Sequence, residues 1–179
     1  MFIAVSLSPE IRDTLEKVMR RLRLCCESGR FVQAENLHLT IAFLGEIPPE
    51  KLGEVRGAMD SVGAAPFFLH VGGFGYFRRE DGNIFWAGVE RSEHLTGLYR
   101  QLYEQLQNRG FRLEKRAFRP HLTLARQAVL KKDYDHGAFV VPAKKMRVEK
   151  ITLYQSERPG GILKYTPVYE KTLREEAMI

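Results

Sequence analysis

The stretch Asn36-Leu37-His38-Leu39-Thr40-Ile41-Ala42-Phe43-Leu44-Gly45 decides how this chain is read. Residues 37–44 carry a strand pattern, and side chains on a strand alternate between faces. His38 and Thr40 therefore share one face, while Leu39 and Ile41 share the other. The same tetrapeptide grammar returns at His121-Leu122-Thr123-Leu124. With five histidines in the chain and 44% hydrophobic residues, chance supplies about 0.08 copies of His-x-Thr-apolar. Two copies in matching strand contexts need a cause. Singly, each histidine reads as a polar residue on the wet face of a half-buried strand; as a pair, each strand offers a base and a hydroxyl together. His94-Leu95-Thr96 is a decoy, because Gly97 takes the apolar fourth place and the leucines around it have helical spacing. On a helix His94 and Thr96 point in different directions, so His94 reads as an ordinary surface histidine.

Working outward, the first strand opens the chain at Met1-Phe-Ile-Ala-Val-Ser-Leu. Ser8 caps and Pro9 opens a helix with Ile11, Leu15, Val18 and Leu22 on one face, and Gly29 follows its end. Pro48-Pro49-Glu50 starts a second helix carrying Leu52, Val55, Met59 and Val62. Strand-like runs over 66–77 and 84–89 meet across Asp81-Gly82 and are expected to close a first antiparallel sheet. Ser92 precedes a third helix with Leu95, Leu98, Leu102 and Leu106, and a short strand follows at 121–125. Runs over 145–156 and 163–173 alternate as a final hairpin, turning at Arg158-Pro159-Gly160-Gly161. There is no low-complexity segment or linker, so one compact α+β domain is expected over 1–179.

Composition bounds the partners. In 179 residues, 44% hydrophobic and 28% charged, a disordered or collagen-like chain is excluded. A domain near this size buries roughly 70% of its unfolded surface, so packing suffices without disulfides or a structural metal. Lys plus Arg number 28 against 22 Asp plus Glu, for a net charge of +6. Arginine predominates over lysine, which favours bidentate contact with phosphate or carboxylate. The adjacent Cys25 and Cys26 close no loop and lack metal or redox spacing, which fits a reducing cytoplasm. The opening segment lacks the basic start and long apolar region of a signal peptide, and no apolar run approaches the roughly 20 residues of a membrane span. A soluble, cytoplasmic protein is expected.

Two histidines and two threonines supply the parts for moving protons at a phosphate held by hydroxyl donors. Neither motif contains His-x-His or His-x-x-x-His, and no carboxylate adjoins either histidine, so chemistry without a metal or other cofactor is the simpler inference. The paired motifs resemble those of the 2H phosphoesterase superfamily, in particular its RNA 2′,3′-cyclic phosphodiesterases, also described as 2′-5′ RNA ligase-like proteins. The likeness extends to Phe2-Ile-Ala-Val, to Phe118-Arg-Pro-His-Leu-Thr-Leu-Ala-Arg126, to Leu153-Tyr-Gln-Ser156 and to Tyr165. It implies a bilobal α+β fold, with two pseudo-twofold-related lobes of antiparallel sheet, outer helices and a central cleft faced by the central strand of each lobe. It also implies His38 as proton donor, His121 as proton acceptor, and a product ending in a 2′-phosphate. The substrate class it implies is RNA or a nucleotide with a 2′,3′-cyclic phosphate, with no membrane or obligate protein partner. Reversible 2′-5′ ligation at the same site, or non-catalytic binding of RNA ends, are the competing readings.

Thr40 and Thr123 are the expected donors to non-bridging phosphate oxygens. Arg126 is the natural cation, but strand parity places it with Leu122 and Leu124, so it reaches the cleft only if the strand ends or bulges near Ala125. The run Arg109, Arg112, Lys115, Arg116 and Arg119, with Phe111 and Phe118, is either an RNA path or a solvated basic loop. Phe74, Tyr76, Phe77, Arg78-Arg79 and Trp86 read mostly as sheet core, with contact to a base as the alternative. Gly72-Gly73 with Gly75 matches no dinucleotide or phosphate-loop fingerprint.

Overall fold

The computed structural model describes residues 1–114 and 117–174. Strand β1 (Phe2–Ser6) leads into helix α1 (Pro9–Cys25), whose first turn is closed by the Ile11 N–H donating to the Ser8 hydroxyl. Ile11, Leu15, Val18, Met19 and Leu22 form its buried face. The helix runs straight into a strand, β2 (Cys26–Phe31), where the sequence suggested only a helix end near Gly29. That glycine lets β2 approach its neighbour, since a Cβ there would stand 3.0 Å from the Ala128 Cβ. Strand β3 (His38–Phe43) follows, then a 3-10 turn (Pro49–Lys51) and helix α2 (Leu52–Asp60). The hairpin β4 (Phe67–Phe77) and β5 (Asn83–Val89) precedes helix α3 (Glu93–Asn108), capped by the Ser92 hydroxyl and burying Leu95, Leu98, Leu102 and Leu106. Each fully buried leucine contributes about 2 kcal/mol from removal of apolar surface. The chain ends in β6 (His121–Leu130), β7 (Lys144–Val148), β8 (Lys150–Glu157) and β9 (Lys164–Thr172).

Two antiparallel sheets result, with strand orders β3-β1-β8-β9 and β2-β6-β5-β4-β7. This corrects the expectation that β4 and β5 close a sheet with β1 and β3: they pair with β6 and β7, and the last hairpin completes the first sheet. The single strand expected over 145–156 is two strands in different sheets. The reason is visible in its alternation. Val148 and Ile151 are both buried, and the exposed pair Glu149-Lys150 between them breaks the period of two where the chain crosses over. The strand expected at 121–125 continues to Leu130. β3 lies at the edge of its sheet and β6 one place in from an edge, so neither occupies the central position the resemblance suggested.

A contiguous core joins the two sheets and the three helices, drawing Ile3, Leu39 and Leu153 from the first sheet, Leu69, Leu122 and Leu124 from the second, and Leu15, Met59 and Leu102 from the helices. Burying the Leu39 and Leu122 faces of β3 and β6 turns the opposite faces, with their histidines, away from this core. Among the described residues no helix is long and apolar enough to cross a membrane.

Candidate active site

Both motifs fall at the start of a strand, and both alternate as the sequence suggested. Leu39, Ile41, Leu122 and Leu124 are buried, while His38, Thr40, His121 and Thr123 are half-buried on the other face. The two strands then share an irregularity. In β3, Thr40 faces Ala4 and Ala42 faces Ile3, so Ile41 is an extra residue. In β6, Thr123 faces Trp86 and Ala125 faces Phe85, so Leu124 is extra. Each bulge puts two consecutive residues into the core, Ile41-Ala42 and Leu124-Ala125, and inverts the parity beyond it. Phe43 and Arg126 consequently emerge on the histidine faces, both exposed. The bulge that Arg126 needed near Ala125 is present. Its counterpart Phe43 was missed, although the signal was available: it stands at the same offset from its histidine as Arg126 does.

The imidazoles are oriented alike. His38 Nδ1–H donates to the Asn36 carbonyl at 2.7 Å, and His121 Nδ1–H donates to the Arg119 carbonyl at 2.6 Å. In each case the acceptor is two residues upstream, and in each case Nε2 is the nitrogen left for chemistry. His38 Nε2 lies 2.9 Å from the Thr40 hydroxyl. Asn36 is itself anchored: it is 6% exposed, and its side-chain amide donates to the Leu163 carbonyl at 3.0 Å, beside the start of β9. The last hairpin thus braces the residue that orients His38.

Aromatic rings wall both imidazoles. Phe2 lies 4.8 Å from His38 between ring centres, and Tyr165 meets His38 edge-on at 5.2 Å. Phe77 meets His121 edge-on at 5.1 Å, and Trp86 lies 6.4 Å away. Burial therefore pushes both histidines below the ordinary imidazole pKa. Their backbone hydrogen bonds oppose this, and the Arg126 charge lowers both further; at His38 the charge of His121 adds to it. Burial raises the Tyr165 phenol, against the charges of Arg126 and Arg158. One arginine thus acts electrostatically on both imidazoles and on Tyr165.

The other candidates sort differently. His94 is exposed on α3 and stacks on Phe67 with ring centres 6.3 Å apart. Arg109 is a brace between helices, donating to Gln105, to the Gly57 carbonyl and to Ser61. Arg112 and Arg119 are exposed, and Lys115 and Arg116 lie outside the described residues. Phe111 and Phe118 pack against the core, the latter stacked on Tyr99 at 4.2 Å, so neither is a free platform. Phe74 and Tyr76 pack with Phe85, whereas Phe77 and Trp86 border His121. Among the described residues no three His, Cys, Asp or Glu side chains gather as a metal site.

Known proteins resemble this chain over most of its length. The family model described as LigT like Phosphoesterase matches residues 5–86 and 88–163. An RNA 2′,3′-cyclic phosphodiesterase of Thermotoga maritima is 29% identical over 184 residues, covering 92% of this chain and 98% of its own. A protein of the same name from Escherichia coli is 31% identical over 173 residues, covering 94% and 93%. The crystal structure of E. coli LigT complexed with 3′-AMP superposes with a TM-score of 0.82 at 30% identity, over 96% of each chain.

Proposed function

From the premise that this chain belongs to the LigT-like phosphoesterase family, we propose that it hydrolyses the 2′,3′-cyclic phosphate ends of RNA or nucleotides to 2′-phosphomonoesters. The observation that carries the reading is the matched pair of imidazoles, each with Nδ1 tied to a carbonyl two residues upstream. That arrangement leaves both Nε2 atoms for proton transfer, with the Arg126 charge acting on both rings, and a donor and an acceptor are what acid–base catalysis of an in-line displacement at phosphorus uses. Neutral His121 takes a proton from the attacking water, and protonated His38 gives one to the departing 3′ oxygen. Arg126 and the hydroxyls of Thr40 and Thr123 hold the non-bridging oxygens, where negative charge builds in the transition state. An anionic phosphate arriving between the histidines favours the protonated state that His38 needs, offsetting the effect of its burial. We read residues 1–179 as one such domain acting in the cytoplasm, with the free Cys25 and Cys26 in keeping with a reducing compartment.

The test is turnover of an oligoribonucleotide bearing a 2′,3′-cyclic end, in the presence of a chelator, with the phosphate position of the product identified. The wild type should release a 2′-phosphate, and His38→Ala and His121→Ala should each lose about 10²–10⁴-fold in kcat while still binding the end. A 3′-phosphate product would reverse the leaving-group assignment, and variants that lose affinity alone would favour a binding protein.

A further inference from the structure

Beyond Arg126, β6 departs from regular pairing a second time, and against both of its neighbours. Toward β5, Ala125 faces Phe85 and Ala128 faces Asn83, so Arg126 and Gln127 stand opposite Ile84 alone. Toward β2, Arg126 faces Arg30 and Val129 faces Ser28, so Gln127 and Ala128 stand opposite Gly29 alone. Gln127 has φ +50°, the only positive φ of a non-glycine residue among the described residues. An unbranched side chain tolerates that left-handed conformation at a cost, and a β-branched one tolerates it poorly. Two glycines wall the kink. A Cβ on Gly82 would come within 2.7 Å of the Gln127 carbonyl carbon, and a Cβ on Gly29 within 3.0 Å of the Ala128 Cβ. The Gln127 side-chain amide donates to the Asp81 carboxylate in the β4–β5 turn.

Strained backbone of this kind persists only where its surroundings over-determine it, and it collects at functional sites. Here the effect on Arg126 is mechanical. If Gln127 relaxed to ordinary strand geometry, its extra residue would have to be absorbed elsewhere in β6, and a shift of one residue carries a side chain to the opposite face. We propose that Gln127, locked by the Asp81-Gly82 turn, is a positioning residue that keeps Arg126 aimed at the phosphate between His38 and His121. This rests on the role assigned to Arg126 above.

The experiment measures kcat/KM on the cyclic-ended oligoribonucleotide for Gln127→Val, Gln127→Gly and Asp81→Ala, each alone and combined with Arg126→Ala. Valine should cost about tenfold to a hundredfold, the scale of a misplaced catalytic group. Glycine, which accepts the backbone angle but lacks the tether, and Asp81→Ala, which lacks only the tether, should each cost less. In the Arg126→Ala background all three should change kcat/KM by less than about twofold, because coupled residues are not additive. The pH profile provides a second readout. His38 faces Arg126, His121 and Tyr165, and His121 faces Arg126 and the rings of Phe77 and Trp86. Withdrawing the Arg126 charge should move the profile of Gln127→Val upward, in the direction Arg126→Ala moves it. Should Gln127→Val fail to fold, Asp81→Ala in the two backgrounds carries the same comparison. Equal losses with and without Arg126, or variants indistinguishable from wild type, would overturn the inference. Arg126→Ala with full activity would instead remove the arginine's role itself.

Discussion

At the residue scale, the informative difference is between what a histidine is and where its two nitrogens go. That His38 and His121 form a matched pair was legible in the repeated tetrapeptide; that both leave Nε2 free of the backbone was not, because the carbonyls of Asn36 and Arg119 take Nδ1 only once the strands start where they do. The lowered pKa of both imidazoles fixes the sign of the pH dependence. The proposed mechanism needs one protonated and one neutral imidazole in the free enzyme, and the population of that state peaks midway between the two pKa values. With both depressed, kcat/KM should trace a bell centred below about 6.5, the ordinary imidazole value. A bell centred above that value would contradict the burial of the site. Stability follows the same groups. The unfolded chain binds protons to these histidines before the folded chain does, so their contribution is complete above the unfolded pKa and declines as pH falls through it.

At the element scale, the sequence marks strand interiors well and strand partners poorly. Helices α1 and α3 were readable down to their Ser8 and Ser92 caps, since capping and periodicity are local chemistry. Strand β2 was not, because its residues between Cys26 and Phe31 are exposed and carry no apolar alternation. The bulges at Ile41 and Leu124 decide which face Phe43 and Arg126 reach, and they became certain only with the registers against β1 and β5. The brace from the last hairpin is another such element-level fact. Asn36→Ala deletes the hydrogen bond from the side-chain amide to the Leu163 carbonyl and leaves the carbonyl that orients His38 in place but unsupported. It should cost about 1–3 kcal/mol of stability and lower kcat more than it raises KM, measured by thermal unfolding and steady-state kinetics. An unchanged kcat would mean that the hairpin contact serves folding alone.

At the scale of the whole molecule, the two sheets are interleaved along the chain. β1 sits between β3 and β8, so its sheet depends on residues separated by most of the sequence. Ile151 and Leu153 of the adjoining β8 are each 0% exposed. A chain ending at residue 148 should therefore lose cooperative unfolding rather than retain a stable first sheet, as followed by circular dichroism on heating. A cooperative transition in that fragment would show the sheets to be independent. The net charge of +6 left an anionic partner open. Arg126 now lies where its charge reaches both histidines, whereas Arg109 is spent on bracing α3 against α2. By itself, the sequence determined the strand character of the motifs, the shared face of each His-Thr pair, the three helices and the functional groups available on those faces, because these follow from local periodicity and residue identity. Only the tertiary structure decided which strands pair, that Glu149-Lys150 carries the chain from one sheet to the other, and that Arg126 emerges on the histidine face of β6. Those outcomes depend on long-range register, where a single extra residue inverts a face.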